Sequence, residues 1–145
     1  MNFPKPIPGL VIRYSYLWQR QHELGLEEGS KDRPCAIILA TTITDGKDKV
    51  VVLPITHSKA QNLDEAIELP ISVKTILGLD DAKSWVMISE SNFFVWPGPD
   101  LRRIGEGENN TISYAMLPPN FFKAVRDKFV SFTRETKTKP IKRTK

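Results

Sequence analysis

The stretch that decides the fold runs from residue 31 to residue 57 and reads KDRPCAIILATTITDGKDKVVVLPITH. Apolar runs at 35–40 and 50–53 are rich in valine, isoleucine and leucine, and such runs favour β-strands. Between them lies a polar segment with Asp-Gly at 45–46, which is a strong turn dipeptide between strands. The pattern predicts an antiparallel β-hairpin.

Arg33 and Thr56 stand at the same end of this predicted hairpin, one at the start of the first strand and the other at the end of the second. Arg33 precedes a proline and is therefore expected to be extended, and Pro34 is tolerated as the first residue of a strand. The pairing should bring a guanidinium and a hydroxyl close together. An ordinary core hairpin with a surface arginine and a capping threonine shares this pattern, so the hairpin alone assigns no function.

The composition is that of an ordinary globular protein, with 40% apolar and 26% charged residues in a chain of 145. This length predicts one domain, expected to span residues 1–133 with 1–8 as an extended arm, followed by a basic, disordered tail at 134–145. The formal charge of +4 favours an anionic partner such as nucleic acid. Cys35 is the single cysteine, so no internal disulfide is possible and we expect a cytoplasmic protein. No apolar run is long enough to span a bilayer, so we expect no membrane partner.

The rest of the chain adds short strands and two helices to the hairpin. Gly78 is placed to end a short helix. Phe122, Val125, Phe129 and Phe132 recur at spacings of three and four, which predicts a C-terminal helix that packs through one apolar stripe. The predicted fold class is mainly β (α+β). The predicted strands are 10–17, 66–69, 85–90 extended by 93–96, and 111–114, and the predicted helices are 72–77 and one that begins at 118–119.

Taken together, these features resemble the PemK/MazF-like toxins of toxin–antitoxin systems. The resemblance rests on a glycine-led first strand at 8–11, a long loop at 19–30, the Arg-Pro strand start at 33–34, a strand ending Leu-Pro-Ile-Thr at 53–56, and a late helix ending near Phe132. It implies an SH3-like β-barrel that cleaves single-stranded RNA without a metal or other cofactor. It also implies a homodimer and a cognate antitoxin protein as partners.

RNA cleavage of this kind uses a nucleophile that the substrate brings, because the ribose 2′-hydroxyl attacks its own adjacent phosphorus. The protein must move two protons and stabilise a phosphorane with extra negative charge. Arg33 is the expected main electrostatic catalyst, since its planar fork donates two hydrogen bonds to phosphate oxygens, and Thr56 is expected to position the same phosphate. The expected products are a 2′,3′-cyclic phosphate and a 5′-hydroxyl.

Further catalytic candidates come from the PemK-like branch of the resembling family. His22 and Glu23 match a His-Glu pair in the loop of that branch. A later strand of that branch carries an arginine and, two residues on, an aspartate, where this chain has Ile88 and Glu90. Glu90 retains the acid, but the loss of the arginine favours catalysis from the hairpin end.

The proton transfers have no residue assigned from sequence. A carboxylate or a histidine suits them, and Glu28, His22 and His57 all stay open as candidates. His22 and His57 are also the chain's two histidines, and no cluster of metal-ligating residue types has ligand spacing, so no metal site is expected.

Single-stranded RNA is expected to lie in a basic groove with bases stacked on aromatic side chains. The same residue types are also common in cores and on solvated surfaces. Two other functions therefore stay open, namely an SH3-like barrel that binds nucleic acid without cutting it and a protein-interaction module. The candidate RNA-binding residues are Arg13, Tyr16, Lys31, Arg102 and Arg103.

Overall fold

The computed structural model describes residues 3–27, 29, 31–42, 46–105 and 111–143. Most of the regular structure in these ranges is β-strand, with a short helix after the first strand and a long helix near the end. The elements in chain order are β1 (Leu10–Tyr14), α1 (Gln19–Glu23), β2 (Arg33–Thr42), β3 (Asp48–Thr56), a 3₁₀ helix (Leu63–Glu65), β4 (Ala66–Glu68), α2 (Ile71–Leu77), β5 (Trp85–Met87), β6 (Asn92–Trp96), β7 (Ser113–Met116), α3 (Pro119–Thr136) and β8 (Ile141–Lys142).

The strands form one sheet in the order β4-β5-β3-β2-β1-β7, to which β6 and β8 are added through β3. Neighbours are antiparallel, except that β6 and β8 are parallel. β3 is the shared strand, because residues 48–52 pair with β6 and residues 55–56 pair with β5. The sheet is not closed into a barrel. The mainly β, α+β class predicted from sequence is confirmed.

The β2–β3 pair confirms the predicted hairpin. Its register runs from Cys35 opposite Pro54 to Thr42 opposite Asp48, with one irregularity between Ile37 and Leu39. The Asp-Gly turn was predicted at 45–46, and its aspartate lies outside the described residues.

The sheet is covered on both faces. Along β2, Ala36 and Ile38 face one core, whereas Cys35 and Ile37 face the other. A strand that is buried on both faces needs apolar side chains at every position, which explains the continuous apolar runs of the hairpin. Residues of α2 and α3 pack in the first core. The second core, here called the aromatic core, includes five buried aromatic residues, Tyr14, Tyr16, Trp18, Phe94 and Trp96.

Two of the helices, α2 and α3, were predicted from the sequence. Val125 of α3 is fully buried in the first core, and Phe122, Phe129 and Phe132 pack against that core, so the predicted apolar stripe is confirmed. α2 ends at Gly78, whose φ of +70° is the left-handed geometry that glycine adopts at little cost. Within the described ranges, no helix is both long and apolar enough to cross a bilayer.

Several element boundaries differ from the prediction. β1 stops at Tyr14 instead of residue 17, and α1 occupies part of the expected loop at 19–30. The single strand predicted across 85–96 is two strands, because β5 and β6 pair with different parts of β3. Local periodicity cannot detect that division, which depends on a third strand.

Regular structure continues past residue 134, in the segment where the sequence predicts a disordered tail. α3 continues to Thr136, and β8 then pairs with β6 at Asn92 and Phe93. Arg143 is buried at 5% exposure and forms an ion pair of 3.0 Å with Asp100. The residues that contact Arg143 and β8 are at least 43 residues away in sequence, so the composition of the tail does not reveal these contacts.

Candidate functional site

Two cavities that share lining residues lie at the end of the β2–β3 pair. One, here called the Trp18 cavity, has about 190 Å³ and is lined by Trp18, Arg20, Arg33, Thr56, Ser58, Lys59 and Met87. The other, here called the His57 cavity, has about 160 Å³ and is lined by Lys31, Asp32, Arg33, Pro34, Ile55, Thr56, His57, Leu79, Asp80 and Ser84. Arg33 and Thr56 line both, so the two residues that the hairpin prediction placed together share one site.

The register of the hairpin explains this placement. Cys35 is opposite Pro54, and continuing that antiparallel register by two residues sets Arg33 opposite Thr56. Side chains directly opposite each other lie on the same face, with Cβ atoms about 4.5–5.5 Å apart. The strand that begins with Arg-Pro and the strand that ends in Thr therefore deliver a guanidinium and a hydroxyl to one surface.

Arg33 is half-buried and lies over the indole ring of Trp18, with 5.0 Å between the guanidinium carbon and the ring centroid. Its Nε atom is buried and has no hydrogen-bond partner among the described residues. In the same ranges, no carboxylate lies within 4.0 Å of the guanidinium. Burial lowers the pKa of Arg33, and the charge of Arg20 lowers it further. An arginine nevertheless stays cationic at neutral pH, so this site presents a positive charge with donors to offer.

Thr56 is buried and its hydroxyl is oriented by the backbone. Its Oγ1 accepts a hydrogen bond of 3.1 Å from the Ser58 amide. Because a hydroxyl carries one donor beside its acceptor lone pairs, the hydroxyl hydrogen remains available to a ligand oxygen.

His57 lies in the site with partners on both ring nitrogens. Its Nδ1 is 3.0 Å from the Lys83 carbonyl oxygen and 3.1 Å from Ser84 Oγ, and its Nε2 is 3.5 Å from Asp80 Oδ2. These contacts fix the orientation of the imidazole ring and direct Nε2 toward the Asp80 carboxylate.

Glu90 does not line either cavity; it supports the site from beneath. Its Oε1 accepts hydrogen bonds from Tyr16 Oη at 3.1 Å and from the Gln19 amide at 2.9 Å. The second bond holds the start of α1, which directly follows Trp18. Burial raises the pKa of Glu90, and the two hydrogen bonds act in the opposite direction. Glu90 is therefore in a position to fix Trp18 rather than to contact a substrate.

Two other predicted residues, Tyr16 and His22, line neither of the two cavities, and a third lies outside the described residues. Tyr16 is fully buried, so the prediction that it stacks on RNA bases is wrong; it belongs to the aromatic core, as alternating strand aromatics usually do. His22 is exposed on α1 and lines another cavity, with Lys142 and Arg143. Glu28, one of the candidates for proton transfer, lies outside the described residues.

The four predicted RNA-binding cations differ in their surroundings. Lys31 is exposed and lines the His57 cavity. Asp32 pairs with Arg13 at 3.9 Å and with Arg102 at 3.4 Å, which partly neutralises those two side chains. Arg103 is exposed, and its carbonyl oxygen accepts a hydrogen bond from Arg13 Nη1 at 3.2 Å.

Sequence reasoning missed several residues of the site. Trp18 directly follows the predicted first strand, and Arg20 and Lys59 carry no local motif. Asp80 and Ser84 contact His57 but are more than 20 residues away from it in sequence, in the connection between α2 and β5. An aromatic residue just before the long polar loop is the one local signal that could have been used.

Within the described ranges, no group of three or more His, Cys, Asp or Glu side chains is arranged to hold a metal ion. Comparison of the chain with models of known protein families and with curated protein sequences found no match.

Proposed function

We propose that this protein is an endoribonuclease of the toxin type that cleaves single-stranded RNA at the Arg33–Thr56 site. The observation that carries the proposal is the state of Arg33: a half-buried cation, held by Trp18, with no carboxylate within 4.0 Å among the described residues. The charge of Arg33 is therefore left for a ligand. A phosphodiester supplies both the acceptor oxygens and the negative charge.

The reaction is an internal transfer at phosphorus. The 2′-oxygen forms a bond to phosphorus, the 2′-proton passes to a base, the bond from phosphorus to the 5′-oxygen breaks, and that oxygen receives a proton. The products are a 2′,3′-cyclic phosphate and a 5′-hydroxyl. Arg33 donates to the non-bridging oxygens as charge accumulates on them, and Thr56 donates to the same phosphate.

His57 is the residue best placed for a proton transfer. Its Nδ1 lies 3.0 Å from the Lys83 carbonyl oxygen, and this contact holds the imidazole ring in one orientation. Asp80, 3.5 Å from Nε2, stabilises the charged ring. His57 and Asp80 are both exposed, so a substrate oxygen can reach the imidazole.

Charge and aromatic surface support a polynucleotide as the substrate. Arg20, Lys31 and Lys59 surround Arg33 in the two cavities, and the chain has a formal charge of +4. Cations that follow a groove attract the RNA backbone, and the groove selects single strands when bases must unstack to enter.

The partners and the finer description of the fold rest on the resemblance to PemK/MazF-like toxins. We propose an SH3-like arrangement, supported by the β1-β2-β3 order and by the division of β3 between β5 and β6. On the same ground we propose a cytoplasmic homodimer, with an acidic antitoxin protein that folds onto the basic groove.

A second candidate is a nucleic-acid-binding protein that does not cleave. Ile88, which stands where the PemK-like branch has an arginine, is fully buried and cannot supply a catalytic charge. In this second reading the Arg33 site binds phosphate but lacks the proton transfers.

Incubation of the purified protein with a long single-stranded RNA, in the presence of a chelator, tests the proposal. We expect 2′,3′-cyclic phosphate and 5′-hydroxyl ends, and we expect no cut where the nucleotide before the break is replaced by its 2′-deoxy form. Arg33→Ala should abolish cleavage, whereas Arg134→Ala, which removes an exposed arginine of α3, should cleave like the wild type. Binding without any cleavage would favour the second candidate.

A further inference from the structure

Trp85 and Glu68 continue the row of side chains that begins with Arg33 and Thr56. Trp85 of β5 is directly opposite Thr56 of β3, and Glu68 of β4 is directly opposite Trp85. Directly opposed residues present their side chains on one face of the sheet. The four residues therefore lie side by side across β2, β3, β5 and β4.

A cavity adjoins this row next to the catalytic site. It has about 300 Å³, and its lining includes Lys59, Asn62, Glu68, Lys83 and Trp85. Lys59 also lines the Trp18 cavity, so the two spaces are neighbours. We name this space the Trp85 cavity.

Trp85 differs from the other two tryptophans of the chain. Trp18 and Trp96 are buried in the aromatic core, whereas Trp85 is partly exposed. A partly exposed indole beside a phosphate site offers a flat surface on which a nucleobase can stack. In the described ranges its nearest charged neighbours on the cavity wall are two lysines and one carboxylate.

The polar groups of the Trp85 cavity suit the edge of a base. Glu68 is exposed, and no cation lies within 4.0 Å of its carboxylate among the described residues. An ionised carboxylate only accepts hydrogen bonds, and its two oxygens match two adjacent donors. A carboxylate repels a phosphate. It can accept two hydrogen bonds from a guanine, because the ring N–H and the amino group of guanine lie side by side.

We propose that the Trp85 cavity is a subsite for one unpaired guanine of the RNA, next to the phosphate bound by Arg33 and Thr56. Trp85 stacks on the guanine, and Glu68 accepts hydrogen bonds from the Watson–Crick edge of that base. Lys59 and Lys83 contact the flanking phosphates. The inference rests on the proposed function for the identity of the polymer, and it adds a base preference at the position beside the cut.

Binding of short RNAs that cannot be cleaved tests the subsite independently of catalysis. The four probes are 2′-O-methyl RNA hexamers: one contains only uridine, and the others carry one internal guanosine, adenosine or cytidine. Fluorescence anisotropy measures their binding. We expect the guanosine probe to bind most tightly to the wild type. Trp85→Ala should weaken its binding about tenfold, and Trp85→Phe should retain most of it, because a ring for stacking remains.

Glu68→Gln separates base recognition from folding. We expect this variant to lose the preference for guanosine over uridine while its affinity for the all-uridine probe stays within about twofold of the wild type. Lys139→Ala, an exposed lysine in the segment after α3, is the control and should bind every probe like the wild type.

The outcomes distinguish this inference from the proposed function. Trp85-dependent preference for guanosine in a protein that cuts no RNA supports the subsite and overturns the nuclease. Cleavage of RNA by a wild type that binds all four probes equally overturns the subsite and leaves the nuclease. Equal losses in Trp85→Phe and Trp85→Ala also overturn the subsite, because they point to a structural role for the indole.

Discussion

Arg33 and Trp18 form a cation–π pair, with 5.0 Å between the guanidinium carbon and the indole centroid, at the mouth of the aromatic core. Trp18 is itself fixed, since it is buried and meets the Tyr16 ring edge-on at 5.1 Å between centroids. A cation held by a ring face keeps its N–H donors available, unlike one held by a carboxylate. The pair thus positions a charge without neutralising it.

Replacement of Trp18 should therefore lower the rate of RNA cleavage. We expect Trp18→Leu to reduce kcat about tenfold and Trp18→Phe to reduce it less, because a phenyl ring still attracts the cation. Single-turnover rates at saturating protein measure the effect, and thermal unfolding identifies any loss of fold. A fully active Trp18→Leu protein would show that the ring contact has no part in catalysis.

His57 should carry a proton transfer, and His22 should not. We expect His57→Gln to lower kcat about 100-fold or more, the usual contribution of general acid–base catalysis. Asp80→Asn should have a smaller effect, because Asp80 acts through the imidazole. His22→Gln is the matched control, since His22 lines a different cavity, and a large loss of rate in that variant would contradict the assignment.

Glu90 should make stability depend on pH in a defined direction. Burial raises its pKa in the folded state, so between the unfolded and folded pKa values the folded protein binds more protons than the unfolded one. The contribution of Glu90 to the free energy of unfolding is therefore fully present below the pKa of the unfolded state. It is lost as the pH rises through the pKa of the folded state. Glu90→Gln keeps an acceptor for Tyr16 and Gln19 but cannot ionise.

Denaturant unfolding of the wild type and Glu90→Gln from about pH 4 to about pH 8 measures this contribution. We expect the wild type to lose stability relative to the variant as pH rises across this range. A difference between the two proteins that does not change with pH, or that changes in the opposite sense, would exclude the linkage.

Arg143 should anchor the C-terminal segment to the domain. It pairs with Asp100 at 3.0 Å and donates to the Ser15 carbonyl at 2.8 Å and to Asn92 Oδ1 at 3.0 Å. Arg143→Ala removes the cation beside the partly buried Asp100 carboxylate and the donor to the buried Ser15 carbonyl, so we expect a loss of about 3–5 kcal/mol in the free energy of unfolding. The exposed neighbour Lys142 gives the control, because Lys142→Ala should change stability by about 0.5 kcal/mol or less. Equal stability of both variants and the wild type would mean that β8 is not held by this charge.

Local sequence patterns were enough to predict the hairpin and the position of Arg33 beside Thr56. Two apolar runs with a turn between them leave little choice of pairing, and the antiparallel register then determines which ends meet. The apolar stripe of α3 and the glycine that ends α2 were predictable for the same reason, because each depends on neighbours within a few residues.

Features that depend on distant residues could not be predicted in this way. Tyr16 has the alternation expected of a half-exposed strand, but the second core buries it completely. The contacts of His57 with Asp80 and Ser84 arise only when the connection after α2 folds back on the end of β3. The ordered C-terminal segment depends likewise on Asp100 and on the edge of β6.

The most direct test of the Arg33 site is the cleavage rate of one defined RNA by the wild type and by Arg33→Lys, measured side by side with Arg134→Lys. Lysine keeps the charge but loses the planar fork and the ring contact, so we expect the rate to fall about 100- to 1000-fold, while Arg134→Lys cleaves normally. If Arg33→Lys cleaves at the wild-type rate, or if no protein of the set cleaves RNA, the catalytic role given to Arg33 is wrong.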